Sequence, residues 1–333
     1  MIKFDPRWSG DHGIGRVSRI LDERLCLPHL DITGRPSSPF DPFRLFIAML
    51  KLPNNVAVFS PGYNAPMFVV RPYIFTILDL NHIDRPENSS FLKRMYYYCV
   101  MRRAAHKAFR VLTISEFSRQ RIIDWAGIDP CRVVNVSCGV DTRYSPDVTP
   151  YVPGFPYLLC VSNRKAHKNE PRVVTAFAKA NINNNIRLIL TGHASEQLMV
   201  LCKQLGVEHR VSFVGHVAEA DLPGLYRGAL LLLFPSLYEG FGLPVVEAMA
   251  SGIPVITSKT TSLSEVAGNA AFLVDPTNTS EITHAIEKVL NNENLRAELI
   301  TNGLARAKTF SWDSVAAKVQ VVLDDLELSQ GAR

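Results

Sequence analysis

The second half of the chain alternates between short, continuously apolar runs and segments with helical periodicity. Strands that are apolar along their whole length are covered on both faces, which is typical of a parallel sheet between two layers of helices. The apolar runs lie at 157–161, 186–192, 211–215, 230–235, 254–258 and 271–275, and the helical segments lie at 170–180, 195–205, 219–228, 244–251 and 262–267. This alternation predicts a doubly wound α/β domain, with further helices at about 279–291, 293–308 and 312–328.

The first half shows the same alternation less regularly. Strand-like runs occur at 56–60, 75–80, 110–115 and 132–137, and helical patterns occur at 13–25, 41–51, 90–108 and 116–126. We therefore expect a second Rossmann-like domain, so that the whole chain is an α/β protein with two parallel sheets.

Prolines cluster between the two halves. Four of them, together with Gly154, fall between residues 145 and 156. Because proline cannot donate to a strand ladder or sit inside a helix, this segment is predicted to be an interdomain linker. The predicted domains are 1–150 and 151–333, and a length of 333 residues suits two domains.

Composition narrows the class of protein. Hydrophobic residues make up 47% and charged residues 20% of the chain, which are globular values and exclude a disordered or fibrous protein. The net charge is +5, which divides into +6 for residues 1–150 (20 Lys and Arg against 14 Asp and Glu) and −1 for the remainder (16 against 17). This excess is mild for a chain of this size, so we expect no nucleic-acid partner.

No apolar run is long enough to cross a bilayer, no secretory signal is predicted, and the six cysteines form no C-x-x-C pair. We expect a cytoplasmic protein without a disulfide framework or a zinc site.

The most informative stretch is 235–251, which reads PSLYEGFGLPVVEAMAS. It follows an apolar run, and its predicted helix begins at Pro244, where the missing N–H of proline costs nothing. Two glycines before this helix let a ligand approach the backbone, and a helix N-terminus attracts phosphate. Glu239 and Glu247 flank this predicted anion site eight residues apart. Since carboxylates do not bind phosphate usefully, hydroxyl groups of a ribose and of a sugar are their natural partners.

This stretch resembles the Glu-x7-Glu motif of family 4 retaining glycosyltransferases, which have the GT-B fold. Further segments that resemble sequences of this family occur in the second half at 161–180, 188–192, 211–229, 251–276 and 309–312. Segments with a weaker resemblance occur in the first half at 12–21, 60–66 and 114–123. The resemblance covers nearly the whole chain, and it is strongest to bacterial mannosyl- and rhamnosyltransferases of O-antigen, capsule and exopolysaccharide assembly. It implies two Rossmann-like domains facing across a cleft, with the acceptor on the first, the nucleotide-diphospho-sugar on the second, and the helix at 312–328 packed back on the first.

Residue roles follow from the same resemblance. Glu239 would contact the donor sugar near its anomeric centre, Glu247 would hydrogen-bond the ribose, and Arg164 and Lys168 would neutralise the departing diphosphate. The further donor-binding positions are Gly13, Gly15, Val217, Gly240, Phe241, Gly242 and Leu243. Without the resemblance, Arg164 and Lys168 would be interpreted as residues of a solvated loop. Gly13 and Gly15 would be interpreted as part of a plain turn ahead of a helix at 17–25. No Asp-x-Asp motif is present, so we expect two cations and a helix N-terminus to replace a metal, and we expect no cofactor.

The strand end at 76–84, TILDLNHID, departs from the family pattern, which commonly has a His-Asp pair there. Leu78 stands at the histidine position, and Asp79 after it remains the residue expected to orient the acceptor. His82 would replace the missing histidine if the loop folds back, and otherwise it is a surface residue. A smaller departure is Cys138, where an asparagine is common.

A basic and aromatic segment occupies 93–110. It holds six Lys and Arg residues and three tyrosines, and no acidic residue lies between Glu87 and Glu116. The positive charge and the tyrosines suit contact with anionic lipid or with a lipid-diphosphate acceptor. The alternative is a solvated helix, because the basic positions are scattered around the helix and do not form one stripe. We expect peripheral contact with an anionic membrane, at the inner face of the cytoplasmic membrane.

The resemblance, taken with these features, implies a metal-independent retaining glycosyltransferase that moves a hexose to a glycan or lipid-linked glycan of a bacterial surface polysaccharide. The resemblance favours mannose from GDP-mannose as the donor. UDP-glucose and dTDP-rhamnose remain possible donors, because the sequence of the expected base-binding region, near 214–217, does not indicate specificity for guanine. Two alternatives of other classes are a catalytically silent sugar-nucleotide-binding partner subunit, which Leu78 favours, and a sugar-nucleotide epimerase. A dinucleotide oxidoreductase is disfavoured, since no Gly-x-Gly-x-x-Gly follows a predicted strand with an acidic residue about 20 positions on.

Overall fold

The computed structural model describes residues 1–8, 10 and 13–331 and divides the chain into two compact units. Unit 1 comprises Met1–Gly139 together with the chain from Trp312 onward, and unit 2 comprises Val140–Ser311. Each unit has a parallel sheet of its own, as the alternation of apolar runs and helical segments predicts. In the described part of the chain, no helix has both the length and the apolar composition for crossing a membrane.

Unit 1 is built on a sheet in which the described strands run parallel in the order β1-β2-β3-β4-β5. The strands are β1 (Ile2–Phe4), β2 (Ala57–Ser60), β3 (Tyr73–Thr76), β4 (Arg110–Thr113) and β5 (Val133–Asn135). The helices are α1 (Gly13–Leu25), α2 (Asp41–Leu50), α3 (Asn81–Asp84), α4 (Phe91–Tyr96), α5 (Arg102–Lys107) and α6 (Glu116–Ala126). The apolar runs predict β2 to β5, whereas β1 and α3 are too short to show a period.

The helix predicted at 90–108 changes its hydrogen-bonding pattern in the middle. α4 begins after Ser90, whose hydroxyl oxygen accepts the N–H of Lys93, and α5 ends at Lys107. Between them, Tyr97–Met101 form a π-helical stretch. The predicted extent is therefore correct, and the wider turn is a local feature that hydrophobic periodicity does not report.

Gly13 and Gly15 lie in the first turn of α1 rather than in a loop ahead of a helix at 17–25. A β carbon on Gly15 would come within 2.2 Å of the Gly10 carbonyl oxygen, so the missing side chain lets two stretches of backbone meet. Gly13, by contrast, has open space where a side chain would be. Arg16 is buried in the same turn.

Unit 2 confirms the predicted elements to within three residues at their ends. Its strands are β6 (Tyr157–Cys160), β7 (Arg187–Leu190), β8 (Val211–Phe213), β9 (Leu231–Phe234), β10 (Val255–Ser258) and β11 (Phe272–Val274). Its helices are α7 (Glu170–Lys179), α8 (Glu196–Gln204), α9 (Leu222–Arg227), α10 (Leu243–Ala250), α11 (Thr261–Ala267), α12 (Thr279–Asn291) and α13 (Glu293–Ala307).

The strand order of this sheet is β11-β10-β9-β6-β7-β8, and the strands run parallel. The chain therefore fills one side of β6 with β7 and β8 and then crosses to the other side for β9, β10 and β11. In open α/β sheets, ligands bind beyond the carboxyl ends of the two strands at which the order reverses. Here these strands are β6 and β9.

The segment with four prolines does not link the units but lies within unit 2. The Tyr151 N–H donates to the Gly224 carbonyl oxygen over 2.9 Å, and Arg227 Nε donates to the Pro146 carbonyl oxygen over 2.7 Å. Because these bonds tie the prolines to α9, the chain leaves unit 1 at Gly139, eleven residues before the boundary predicted at 150.

The last helix, α14 (Trp312–Gly331), belongs to unit 1 although unit 2 precedes it in the chain. It packs against α1. Its buried side chains follow a helical period and are Trp312, Val315, Ala316, Val319, Val322, Leu323 and Leu326. A β carbon on Gly139 would lie 2.5 Å from the Trp312 backbone nitrogen, so glycine is needed where the helix start meets the end of the first segment of unit 1.

Candidate functional site

The loops after β6 and β9 bring Lys168 and Glu239 together at the carboxyl edge of the unit 2 sheet. Lys168 ends a 3₁₀ turn (Ala166–Lys168), and its Nζ donates to Glu239 Oε1 over 2.7 Å. Ser236 Oγ donates to the same oxygen over 2.6 Å, and the Lys168 ammonium lies 4.8 Å from the centre of the Phe234 ring. Since the strand order reverses between β6 and β9, this pair stands where open α/β sheets bind ligands.

Buried serines hold the loop that carries Glu239. Ser258 Oγ donates to the Ser236 carbonyl oxygen over 2.5 Å. Ser262 Oγ lies 2.9 Å from the carbonyl oxygen of Glu239 and 3.0 Å from that of Phe241, so its one proton is shared between two positions of the loop. The loop is thus fixed from the β10 side, while Lys168 reaches it from the β6 side.

Gly242 is the residue at which this loop turns into α10. Its φ of 104° lies in the left-handed region, and a β carbon there would come within 2.5 Å of Leu263 Cδ2. Gly240 and Phe241 are buried just before it. Leu243 opens the helix. Pro244 has no N–H and the Val245 N–H donates to the Gly242 carbonyl oxygen over 2.9 Å, so this end favours anions through the helix dipole.

Glu247 lies on the same helix but is only 4% exposed. Tyr226 on α9, itself fully buried, donates its hydroxyl proton to Glu247 Oε2 over 2.7 Å. This contact gives the Glu247 carboxylate a fixed orientation, whereas Glu239 is bound by an ammonium and a serine hydroxyl. Sequence reasoning missed Tyr226, because a tyrosine twenty-one residues away gives no local signal.

Arg164 is turned into the protein by a left-handed φ of 63°. Its Nε donates to the His193 carbonyl oxygen over 2.6 Å, and its Nη2 donates to the carbonyl oxygens of Thr191 (2.8 Å) and Gly192 (2.7 Å). Its Nη1 donates to the Glu170 carboxylate. Four of the five guanidinium N–H donors thus hold the loop after β7 and one carboxylate. The basic pair of the resemblance is divided, because its other member, the lysine, contacts Glu239 instead.

Val217 is half-buried in the loop after β8. The Gly192 N–H donates to the Gly215 carbonyl oxygen over 2.6 Å, which joins the loops after β7 and β8 at the same edge of the sheet. Val217 follows this junction by two residues, so it shares the carboxyl edge with the other predicted donor positions of unit 2.

In unit 1, Asp79 lies beyond the carboxyl end of β3 and is paired with a tyrosine. The Tyr63 hydroxyl donates to Asp79 Oδ1 over 3.0 Å and accepts the Asp79 N–H over 3.0 Å. Burial raises the pKa of Tyr63 well above its usual value, and the charge of Asp79 raises it further. Leu78 is 6% exposed, so the position where the family commonly has histidine is occupied by a core side chain.

His82 lies in α3 and has neighbours of its own. Its Nδ1 shares a hydrogen bond with the Asn88 carbonyl oxygen over 2.7 Å, and its ring meets Tyr97 edge-on with the ring centres 6.0 Å apart. These contacts fix the imidazole against the turn that follows α3.

A buried charge cluster after β1 was absent from the sequence prediction. Arg7 donates to Asp5 from Nε and Nη2 over 2.8 Å each, and it also contacts Asp41, which accepts from Asn64 Nδ2 over 2.7 Å. Burial would lower the pKa of Arg7, but the two carboxylates raise it overall, and burial raises the pKa of Asp41. The signal is weak in the sequence, since β1 has only three residues.

Comparisons with known proteins agree with this architecture. Residues 146–306 match the model of the family described as glycosyl transferases group 1. The chain is 30% identical over 269 residues to the O-antigen chain mannosyltransferase B of Escherichia coli, covering 77% of this chain and 70% of that protein. It is 29% identical over 227 residues to the serotype-specific mannosyltransferase WbdA of Escherichia coli, covering 63% of this chain but only 28% of WbdA. The structure matches the sucrose-phosphate synthase of Thermosynechococcus elongatus with a TM-score of 0.78 and 18% identity, over 98% of this chain and 99% of that one.

The two parallel-sheet units are those of a GT-B glycosyltransferase. The chain belongs to the group 1 glycosyltransferase family, and its relatives include bacterial O-antigen mannosyltransferases. The family resemblance and the fold class expected from the sequence are thereby confirmed.

Proposed function

We propose that this glycosyltransferase moves mannose from GDP-mannose, with retention of anomeric configuration, to a glycan or lipid-linked glycan of a bacterial surface polysaccharide. Support for the sugar comes from the relatives, two of which are named as O-antigen or serotype-specific mannosyltransferases. The observation that carries the proposal is the Lys168–Glu239 pair at the carboxyl edge of the sheet, where the neighbouring strands β6 and β9 end. Lys168 lies in the loop after β6, and Glu239 lies in the loop that runs from β9 into α10.

In this account the donor replaces one partner of an existing ion pair. The diphosphate takes Lys168 and lies at the positive end of the α10 dipole, because both favour anions. Glu239, released from the ammonium, then meets hydroxyls of the sugar, and Glu247 meets the ribose. Arg164 stays in the protein and braces the loop after β7, since four of its five donors already have acceptors.

The leaving nucleoside diphosphate develops negative charge as the glycosidic bond breaks, and pre-positioned donors lower the free energy of that state. Lys168 is such a donor, and the α10 dipole favours the same charge, so we propose that transfer needs no metal. Rates measured with EDTA and with added Mg²⁺ test this point, and equal rates are expected.

On the acceptor side, we assign Asp79 to orient the acceptor hydroxyl. Its bond with Tyr63 fixes the direction of the carboxylate, which suits a hydrogen bond to an acceptor hydroxyl. Retention is proposed to follow a front-face route through an oxocarbenium-like state. The anomeric proton signals of the product in an NMR spectrum report the configuration directly, and an inverted product would overturn this part.

We propose further that unit 1 contacts an anionic membrane surface. The segment 93–110 supports this, since Lys93 and Arg94 are exposed beside Phe91 and Leu92, whose side chains are 76% and 69% exposed. α2 adds a second apolar stripe at helical spacing, formed by the exposed Phe43, Ile47 and Leu50. Large exposed apolar side chains beside basic ones suit the surface of an anionic bilayer.

Vesicle flotation tests the membrane proposal. Phosphatidylglycerol vesicles are expected to carry the wild-type protein at low salt, and phosphatidylcholine vesicles much less. The double change Lys93→Glu and Arg94→Glu should reduce binding, while Lys203→Glu on the exposed face of α8 should not. Equal flotation with both lipids, or an unaffected double variant, would contradict an anionic-lipid contact.

A thermal-shift titration with GDP, UDP, dTDP and ADP, with and without Mg²⁺, tests the donor proposal. A ligand that binds only the folded state raises the melting temperature by mass action. Selective stabilisation by GDP without a need for Mg²⁺ is expected. UDP or dTDP selectivity would favour UDP-glucose or dTDP-rhamnose instead, and no shift with any nucleotide would contradict a donor site at Lys168 and Glu239.

A further inference from the structure

Asn169 follows Lys168 directly and has a backbone conformation that few residues tolerate. Its φ of 61° and ψ of 25° are left-handed, a region that Gly and Asn enter at the least cost. The residue precedes α7, yet its side chain makes no capping hydrogen bond to that helix, and it is only 2% exposed. Neither hydration nor helix capping therefore accounts for the asparagine.

The side chain instead joins three loops at the carboxyl edge of the unit 2 sheet. Asn169 Nδ2 donates to the Pro235 carbonyl oxygen over 2.9 Å and to the Pro276 carbonyl oxygen over 2.7 Å. Its Oδ1 accepts from Arg172 Nη1 over 2.9 Å. Pro235 follows β9 and Pro276 follows β11, whereas Asn169 itself lies beyond β6, so one amide spans the loops of three strands.

These bonds flank the contact between the two proposed donor-binding side chains. The Leu237 N–H donates to the His167 carbonyl oxygen over 2.7 Å, which ties the same two loops on the other side of Lys168. We propose that Asn169 is a positioning residue that sets Lys168 against Glu239. The inference rests on the proposed donor role of that pair, and it adds the residue through which the pair is held.

The first test measures the coupling between Lys168 and Glu239 without any substrate. Denaturant unfolding of Lys168→Met, Glu239→Gln and the double variant gives their coupling free energy. The same cycle is repeated with Asn169→Gly, which keeps the left-handed backbone but deletes the three side-chain bonds. We expect the coupling to fall by at least half in the Asn169→Gly background.

The second test is kinetic. Asn169→Gly is expected to lower kcat/KM for the donor by about tenfold or more, through a lower kcat and a raised donor KM, because a displaced lysine binds both the donor diphosphate and the charge of the transition state less well. Asn169→Asp, which has the same shape but presents oxygens to two carbonyls, should show the same loss if the glycine variant does not fold. Asn292→Gly, which removes an asparagine N-cap at the start of α13, is the matched control and should keep wild-type kcat.

The two tests separate the two claims. A Lys168–Glu239 coupling that persists in Asn169→Gly, or a wild-type kcat in that variant, would overturn the positioning role. A wild-type protein that turns over no nucleotide sugar would overturn the proposed function, and the coupling cycle would then still decide whether Asn169 holds the pair.

Discussion

Glu239 and Glu247 belong to one loop and helix, but their surroundings give them different chemistry. Glu239 shares its charge with Lys168 and a serine hydroxyl, in a position that is 13% exposed. Glu247 is 4% exposed and bound by the buried Tyr226 hydroxyl. A carboxylate paired with an ammonium in a partly exposed position can exchange partners, whereas one held by a buried phenol keeps its orientation. We therefore assign the exchanging residue to the sugar and the fixed one to the ribose.

Substitution of Glu247 separates binding from stability. The ribose role that the family resemblance implies for Glu247 predicts that Glu247→Ala weakens nucleotide binding. The structure adds that the change removes the acceptor of a buried hydroxyl, which is expected to lower the free energy of unfolding by about 1–3 kcal/mol. Glu247→Gln keeps an acceptor oxygen for Tyr226 and should lose less stability. Denaturant unfolding and GDP titration of both variants check this, and an alanine variant as stable as wild type would contradict it.

At the scale of elements, α10 depends on the residue at which it begins. Gly242 has a left-handed φ, and the space for a β carbon is taken by Leu263. The loop before it is held by Ser258 and Ser262. The helix start is thus fixed relative to Glu239 by backbone geometry that the sequence shows only as a pair of glycines.

Gly242→Ala tests this helix start. A left-handed conformation costs an alanine roughly 1–2 kcal/mol, and the contact with Leu263 adds to that figure. We expect a lower melting temperature and weaker nucleotide binding. Gly154→Ala, at another left-handed glycine with open space around it, is the matched control for the backbone cost alone. Equal effects of the two changes on nucleotide affinity would contradict a role of the α10 start in binding.

The terminal helix tests how unit 1 is completed. Leu323 on α14 is buried, and Leu323→Ala is expected to cost about 2–5 kcal/mol of unfolding free energy. Val321 on the same helix is 61% exposed, so Val321→Ala should cost no more than about 0.5 kcal/mol. Chemical denaturation of both variants gives the comparison. A small effect of the leucine change would mean that α14 does not pack in unit 1 in solution.

At the scale of the whole molecule, much of the architecture is predictable because β-strands of a covered parallel sheet are apolar throughout. That rule finds all six strands of unit 2, but it misses β1, whose three residues include Lys3. The linker prediction failed because prolines exclude helix and ladder positions but do not show that Tyr151 and Pro146 bond to α9.

The candidate site is predictable in part for the same reason. The carboxyl edge of a parallel sheet collects the loops that carry Lys168 and Glu239, so their proximity follows from topology. The direction of Arg164 does not, because it depends on a left-handed φ and on carbonyl oxygens of the loop after β7. Asn169 and Tyr226 act through contacts between residues distant in sequence, which no local pattern reveals.

Thiol reactivity reports on the fold as a whole. Cys26, Cys99 and Cys131 are exposed, whereas Cys138, Cys160 and Cys202 are buried. Burial raises the pKa of Cys138 and of Cys160 to about 12, so both stay protonated and unreactive at pH 8. An aromatic disulfide reagent should titrate three thiols quickly in the native protein and all six in denaturant. A fourth fast thiol would contradict the packing described for the two sheets.

The measurement that tests the central claim most directly is a calorimetric titration of GDP-mannose into the wild-type protein and into Lys168→Met. A charge-assisted hydrogen bond contributes roughly 1.5–3 kcal/mol, so the variant is expected to bind about tenfold or more weakly than the wild type, with its fold retained. Saturable binding by the wild type together with this loss would support a donor site built on Lys168 and Glu239. The same affinity in both proteins, or no binding by the wild type, would contradict it.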